Sequence, residues 1–145
     1  MIPPLRIRGG KRNKIMKNVE RKIYQYLKER GWDNLRPCDI AKSIMIEGAE
    51  LLELFQWENR ELDEVRRDAE KISGIKKELA DVLIYAIEMA VLLGIDISDI
   101  IEKKLDYTAK KYPVSLMRKN AKKSSGSGED SAYWRIKKQY RRRGK

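Results

Sequence analysis

Two apolar helical stretches of this chain carry acidic side chains on the stripe that a bundle would bury, and that conflict limits what it can fold into. In the first, Ile44, Met45, Ile46, Ala49, Leu51, Leu52, Leu54, Phe55 and Trp57 surround glutamates at 47, 50 and 53. A three-residue step on an α-helix returns a side chain to within about 60° of its starting direction, so Glu47 and Glu50 share a face. Gly48 and Ala49 between them are small enough to admit a close neighbour. In the second stretch, "KKELADVLIYAIE", Glu78 and Asp81 repeat the spacing, and Tyr85 and Glu88 continue the stripe. A carboxylate at buried surface is costly without a partner, and like charges facing one another add repulsion.

Two such helices facing each other need cations between them. Histidine is absent and Cys38 is the only cysteine, so His-dependent triads, imidazole bases and His-ligated zinc are excluded. Hard oxygen ligands alone suit Mg2+, with Mn2+ as a substitute, and magnesium usually keeps waters and engages substrate phosphates. The spacing therefore points to a polar metal pocket inside an apolar bundle, with Glu47, Glu50, Glu78 and Asp81 as its ligands. Acidic pairs of this kind also decorate ordinary solvated faces, and that reading suits Glu53, Glu58 and Glu61. Glu88 stands open between the two.

Apolar residues recur at helical spacing through the body, with no competing alternation. A first helix is expected from about residue 13 or 15 to Arg30, with Gly31 as its stop. A second runs from an N-cap at Asp39 to about Trp57. The polar segment from Glu58 leaves room for a short solvated helix, and Gly74 reads as a break. A third helix spans about Ile75 to Leu93, closed by Gly94, and a fourth spans about Ser98 to Lys111, stopped by Pro113. The expected fold class is all-α, a four-helix bundle with short links.

The 145 residues suffice for one domain of modest core, and the formal charge of +11 is unevenly spread. Residues 1–14 hold five basic and no acidic side chains, residues 15–113 hold 17 basic and 20 acidic, and residues 114–145 hold 11 basic and two acidic. The division expected is a basic N-terminal extension (1–14), a helical domain (15–113) and a basic, flexible C-terminal tail (114–145), with Met16 an alternative start. The first 14 residues have no apolar run behind their charges, so no secretory signal is expected. The most apolar segment, 79–95, is broken by Asp81 and Glu88, so no membrane span is expected. A lone cysteine fits a reducing compartment, the cytoplasm.

In "IEGAELLELFQW", "KKELADVLIYAIEMAVLLGIDI" and "KLDYTAKKYP", taken in order, the chain resembles the MazG-like branch of the all-α NTP pyrophosphatases, including the dCTP pyrophosphatase type. The likeness covers roughly Met16 to Pro113. It implies a bundle assembling as a homodimer or dimer-based homotetramer, binding magnesium through the four carboxylates. It also implies hydrolysis of a nucleoside triphosphate between its α and β phosphates, on a dCTP-like or noncanonical pyrimidine nucleotide, in house-cleaning of the nucleotide pool. Glu47 or Glu50 would activate the attacking water. The resemblance places Trp57 and Trp32 at the base and Tyr85 near sugar or base, although Trp57 reads equally as a core residue. Lys104, Lys110 and Lys111 are placed to meet phosphates, or form a solvated helix end. Thr108 stands where many relatives carry asparagine.

A second reading takes the bundle as scaffolding. The segment "AYWRIKKQYRRRGK" interleaves aromatic and basic residues, a pattern that suits weak RNA or DNA binding through phosphate neutralisation and stacking, in a tail unstructured alone or helical when bound. Apolar faces that one protomer can hardly cover point independently to an oligomer.

Overall fold

A computed structural model describes residues 9–121 and 132–142. Every regular element among them is helical: α1 (Gly9–Glu29), α2 (Pro37–Glu53), α3 (Leu62–Arg67), α4 (Ala69–Leu92), α5 (Ile97–Lys111), α6 (Val114–Ala121) and α7 (Ala132–Arg142). The chain forms two compact units, Met1–Ser98 and Asp99–Lys145, parting near the start of α5. The segment "KKSSGSGEDS", 122–131, whose composition reads as a flexible linker, lies outside the described residues, as does the expected N-terminal extension up to residue 8. No described helix is long and apolar enough to cross a membrane.

In the first unit α4 is the shared wall: α2 packs along it most extensively, with α1 and the short α3 also against it. Leu27, Ile40, Ala90 and Ile97 are its buried apolar side chains. Both glycine stops hold. Gly31 and Gly94 adopt φ of 66° and 67°, the left-handed conformation in which a Cβ would be strained. The chain then folds back, with Trp32 N donating to Leu27 O at 2.9 Å and Ile95 N to Ala90 O at 2.8 Å.

Four boundaries differ from expectation. The first helix, α1, starts at Gly9, within the segment expected to be an N-terminal extension. The helix α2 opens with Pro37 at its first position, and Asp39 lies inside the first turn instead of capping it. There the Asp39 carboxylate pairs with Arg36 at 2.7 Å and Lys42 at 2.9 Å, which hold its carboxyl below the usual range. The same helix ends at Glu53, and residues 54–57 turn away, so Trp57 is not on it. Gly74 is no break: α4 starts six residues upstream of Ile75, at Ala69, where the Asp68 side chain accepts from Lys71 N at 2.8 Å. A Cβ at Gly74 would stand 3.4 Å from Leu54 Cδ2, so the glycine lies where the end of α2 comes closest to α4. The polar link does contain a short helix, α3, opened by a capping box between Glu61 and Glu64. Glu58 is not solvated as expected, since it pairs with Lys71 and, at 3.0 Å, with Arg60, which also binds Asp68.

In the second unit α6 packs on α7. The tail expected to be flexible, 114–145, therefore contains two helices among its described residues. Tyr133 of α7 stacks on Tyr112 at 5.2 Å, and Tyr140 meets Tyr107 edge-on at 6.3 Å.

Candidate metal centre and adjoining cleft

The packing of α2 on α4 decides which acidic side chains meet. Glu47 and Glu50 lie one turn apart on α2, and Glu78 faces them from α4; one carboxylate oxygen from each comes within 4.8 Å of the others. Glu78 is 8% exposed, Glu47 half-buried and Glu50 exposed, so the cluster runs from the helix interface to solvent. Asp81, the fourth expected ligand, is not part of this triplet. It lies one turn further along α4 and lines the neighbouring cleft, still near enough for its charge to act on Glu47. Among the described residues, Gly48 has no atom within 4 Å of where its Cβ would be, so the close neighbour expected there is not found among them.

The electrostatics of the triplet are unbalanced. Desolvation raises the Glu47 carboxyl above its ordinary range, and Glu50, Asp81 and Glu78 push it further in the same direction. Lys77 alone counters this: its Nζ donates to Glu78 Oε1 at 2.7 Å, a bond that raises the lysine's own pKa. The second oxygen, Glu78 Oε2, is buried with no hydrogen-bond partner among the described residues. An orphaned carboxylate oxygen facing two further carboxylates is a site short of positive charge. Three hard oxygen donors, without imidazole or thiolate, fit Mg2+ or Mn2+ and not zinc.

Beside the cluster opens a cleft of about 640 Å³, lined among others by Tyr26, Trp32, Ser43, Asp81, Tyr85 and Glu88. Tyr26 and Trp32 meet edge-on with centroids 6.0 Å apart, and the Arg30 guanidinium lies 3.6 Å from the centre of the Tyr26 ring. Burial raises the Tyr85 hydroxyl pKa, and the charges of Glu47, Glu88 and Asp81 add to it. Glu88, 4% exposed, has its carboxyl pushed up by burial, which favours the neutral acid. Glu88 thus belongs to the cleft and not to the solvated face.

Trp32 and Tyr85 share this cleft; Trp57 does not. It is 89% exposed in the turn after α2, which overturns the reading as a core residue and leaves it apart from the other aromatic groups. Lys104, Thr108 and Lys111 lie on α5 in the second unit. There Lys104 Nζ is 5.3 Å from the Tyr107 ring centre and Lys111 Nζ is 4.3 Å from that of Tyr140. Lys77, Tyr26 and Ser43 were not anticipated. Lys77 was legible only as the residue preceding Glu78; Tyr26 lies on α1, which has no acidic motif, and Ser43 lies one turn before Glu47 on α2 without belonging to its acidic pair.

Taken together, the helices and the triplet define an all-α protein built around hard-oxygen ligands beside an aromatic cleft. Residues 42–126 match the model of the MazG-like family. The chain belongs to that family. It is 29% identical over 108 residues to dCTP pyrophosphatase 1 of Mus musculus, and 27% identical over 110 residues to that of Homo sapiens. Those alignments cover 73% and 74% of this chain but only 64% and 65% of the two relatives. Among solved structures, a pyrophosphatase from Archaeoglobus fulgidus superposes with a TM-score of 0.58 at 33% identity, covering 68% of this chain and 92% of that one.

Proposed function

We propose that the chain is a magnesium-dependent nucleoside triphosphate pyrophosphohydrolase that converts a (d)NTP and water to the (d)NMP and pyrophosphate. The observation that carries this reading is the orphaned Glu78 Oε2 within a carboxylate triplet, beside an aromatic cleft large enough for a nucleoside. Family membership and the names of the relatives support the reaction class.

Glu47, Glu50 and Glu78 would hold the cation, with Asp81 at the edge towards the cleft. Bound there, a divalent ion supplies charge neutralisation of the triphosphate and lowers the pKa of coordinated water. Glu47 or Glu50 accepts the proton as a water oxygen attacks the α-phosphorus. The bond from that phosphorus to the α,β-bridging oxygen breaks, and pyrophosphate leaves with the electron pair. Trp32 and Tyr26 offer rings against a base, and Tyr85 reaches base or sugar. A neutral Glu88 carboxyl would offer one donor and one acceptor to a pyrimidine edge. The phosphate role of Lys104, Thr108 and Lys111, and a base contact by Trp57, rest on the sequence match alone.

A panel of dNTPs and NTPs with magnesium, analysed for products, tests the reading. Monophosphate and pyrophosphate are expected in equal amounts, with a dCTP-like or modified pyrimidine substrate turned over fastest. Inorganic phosphate and a diphosphate as products would overturn it.

A further inference from the structure

Nearly all of the chain's excess positive charge lies in the second unit, where residues 99–145 hold 15 basic side chains against five acidic ones. The 11 residues of α7 include five of these cations and no carboxylate. At about 100° per residue, Ile136, Tyr140 and Tyr133 fall on one arc of the helix. Two of the three make ring contacts within the unit, the exposed Tyr133 with Tyr112 and the half-buried Tyr140 with Tyr107 and Lys111. Around the opposite arc come, in order, Lys137, Arg141, Trp134, Lys138, Arg142 and Arg135. Arg135, Lys138, Arg141 and Arg142 are exposed, and among the described residues none forms an ion pair with a carboxylate.

We propose that this face of α7 binds a single-stranded nucleic acid, its cations following the phosphates and Trp134 receiving an unpaired base. Charge complementarity supplies the attraction, which for a polyphosphate backbone needs no sequence. A tryptophan standing within the cationic row selects unstacked bases, since a closed duplex offers it none. Trp134 is half-buried, meets Tyr133 edge-on at 5.7 Å and has Lys137 Nζ over its ring at 4.7 Å, so an incoming base would stack by taking the place of that cation. An anionic membrane fits less well: an interfacial helix must sink its apolar arc, and here that arc is occupied by Tyr112 and Tyr107. The inference does not depend on the pyrophosphohydrolase reading.

The test uses the full chain and fluorescein-labelled oligo(U) and oligo(dT) of about 20 nucleotides, read by anisotropy between about 50 and 200 mM salt. Binding that weakens steeply with salt is expected. Changing Arg135, Lys138, Arg141 and Arg142 together to Gln should lower the logarithmic salt slope by about 3. The Trp134→Ala variant should bind about tenfold more weakly, and Trp134→Phe within about threefold of the parent. An unchanged slope in the quadruple variant, or Trp134→Ala binding like the parent, would overturn the proposal. So would equal affinity for a duplex of the same length, or capture on phosphatidylserine vesicles without oligonucleotide binding.

Discussion

Glu78 and Glu88 occupy the same stripe of α4, three turns apart, and their surroundings give them different work. Glu78 keeps one oxygen on Lys77 and leaves the other bare towards Glu47 and Glu50. Its replacement by Gln preserves shape but removes a charged donor. Glu78→Gln should lower turnover by at least about 100-fold with an unchanged circular-dichroism spectrum, and should abolish the rise in melting temperature on adding magnesium. Glu88 is read through pH. Its folded pKa is raised, so its stabilising contribution is complete below the ordinary value of 4.5 and is lost as pH rises through the folded value. Glu88→Gln should therefore match the parent near the ordinary carboxyl range and exceed it in stability at neutral pH, a gap that urea titrations at both pH values would show. The acidic spacing that nominates the site was legible in the sequence. That Asp81 stands outside the triplet, and that Lys77 reaches into it, depends on side-chain directions that a one-dimensional pattern does not carry.

Among the elements, the long helices follow from periodicity because each keeps one apolar stripe for four turns or more. The two misread ends share a cause. Gly74 looks like punctuation, yet it lies within α4 where Leu54 packs against it, and tertiary packing outweighs its poor helix propensity. Trp57 looked helical because the apolar run continues to it, but the chain turns after Glu53 to bring Leu54 and Glu58 over Lys71. Leu54 Cδ2 is the end of a flexible side chain, so a methyl group at Gly74 can be accommodated. Gly74→Ala should stabilise the fold by about 0.5–1 kcal/mol, whereas Gly74→Leu should destabilise it by about 1–3 kcal/mol through overpacking. The start of α4 has its own test: Asp68→Ala removes the cap and should cost about 1 kcal/mol, measured by urea unfolding.

At the scale of the whole molecule, large apolar side chains stay uncovered on the two helices that carry the site. Met45 and Leu52 on α2 are 71% and 67% exposed, and Leu83 on α4 is 51% exposed. Apolar surface of this kind is characteristic of an interaction face. Light scattering on the purified chain should report a dimer or tetramer, and Leu83→Glu should shift it to monomer; a monodisperse parent monomer would refute the assembly. The exposed row was readable as excess hydrophobicity, but which residues stay outside required α2 and α4 to be laid together first.

Lys77 projects from the same helix as Glu78 and rests its ammonium on that carboxylate. The acidic nest is consequently part-neutralised by a tethered monovalent guest, while Glu78 Oε2 still faces it bare. A divalent visitor would add charge that the tether does not supply, whereas potassium or sodium would bring no more than the resident already gives.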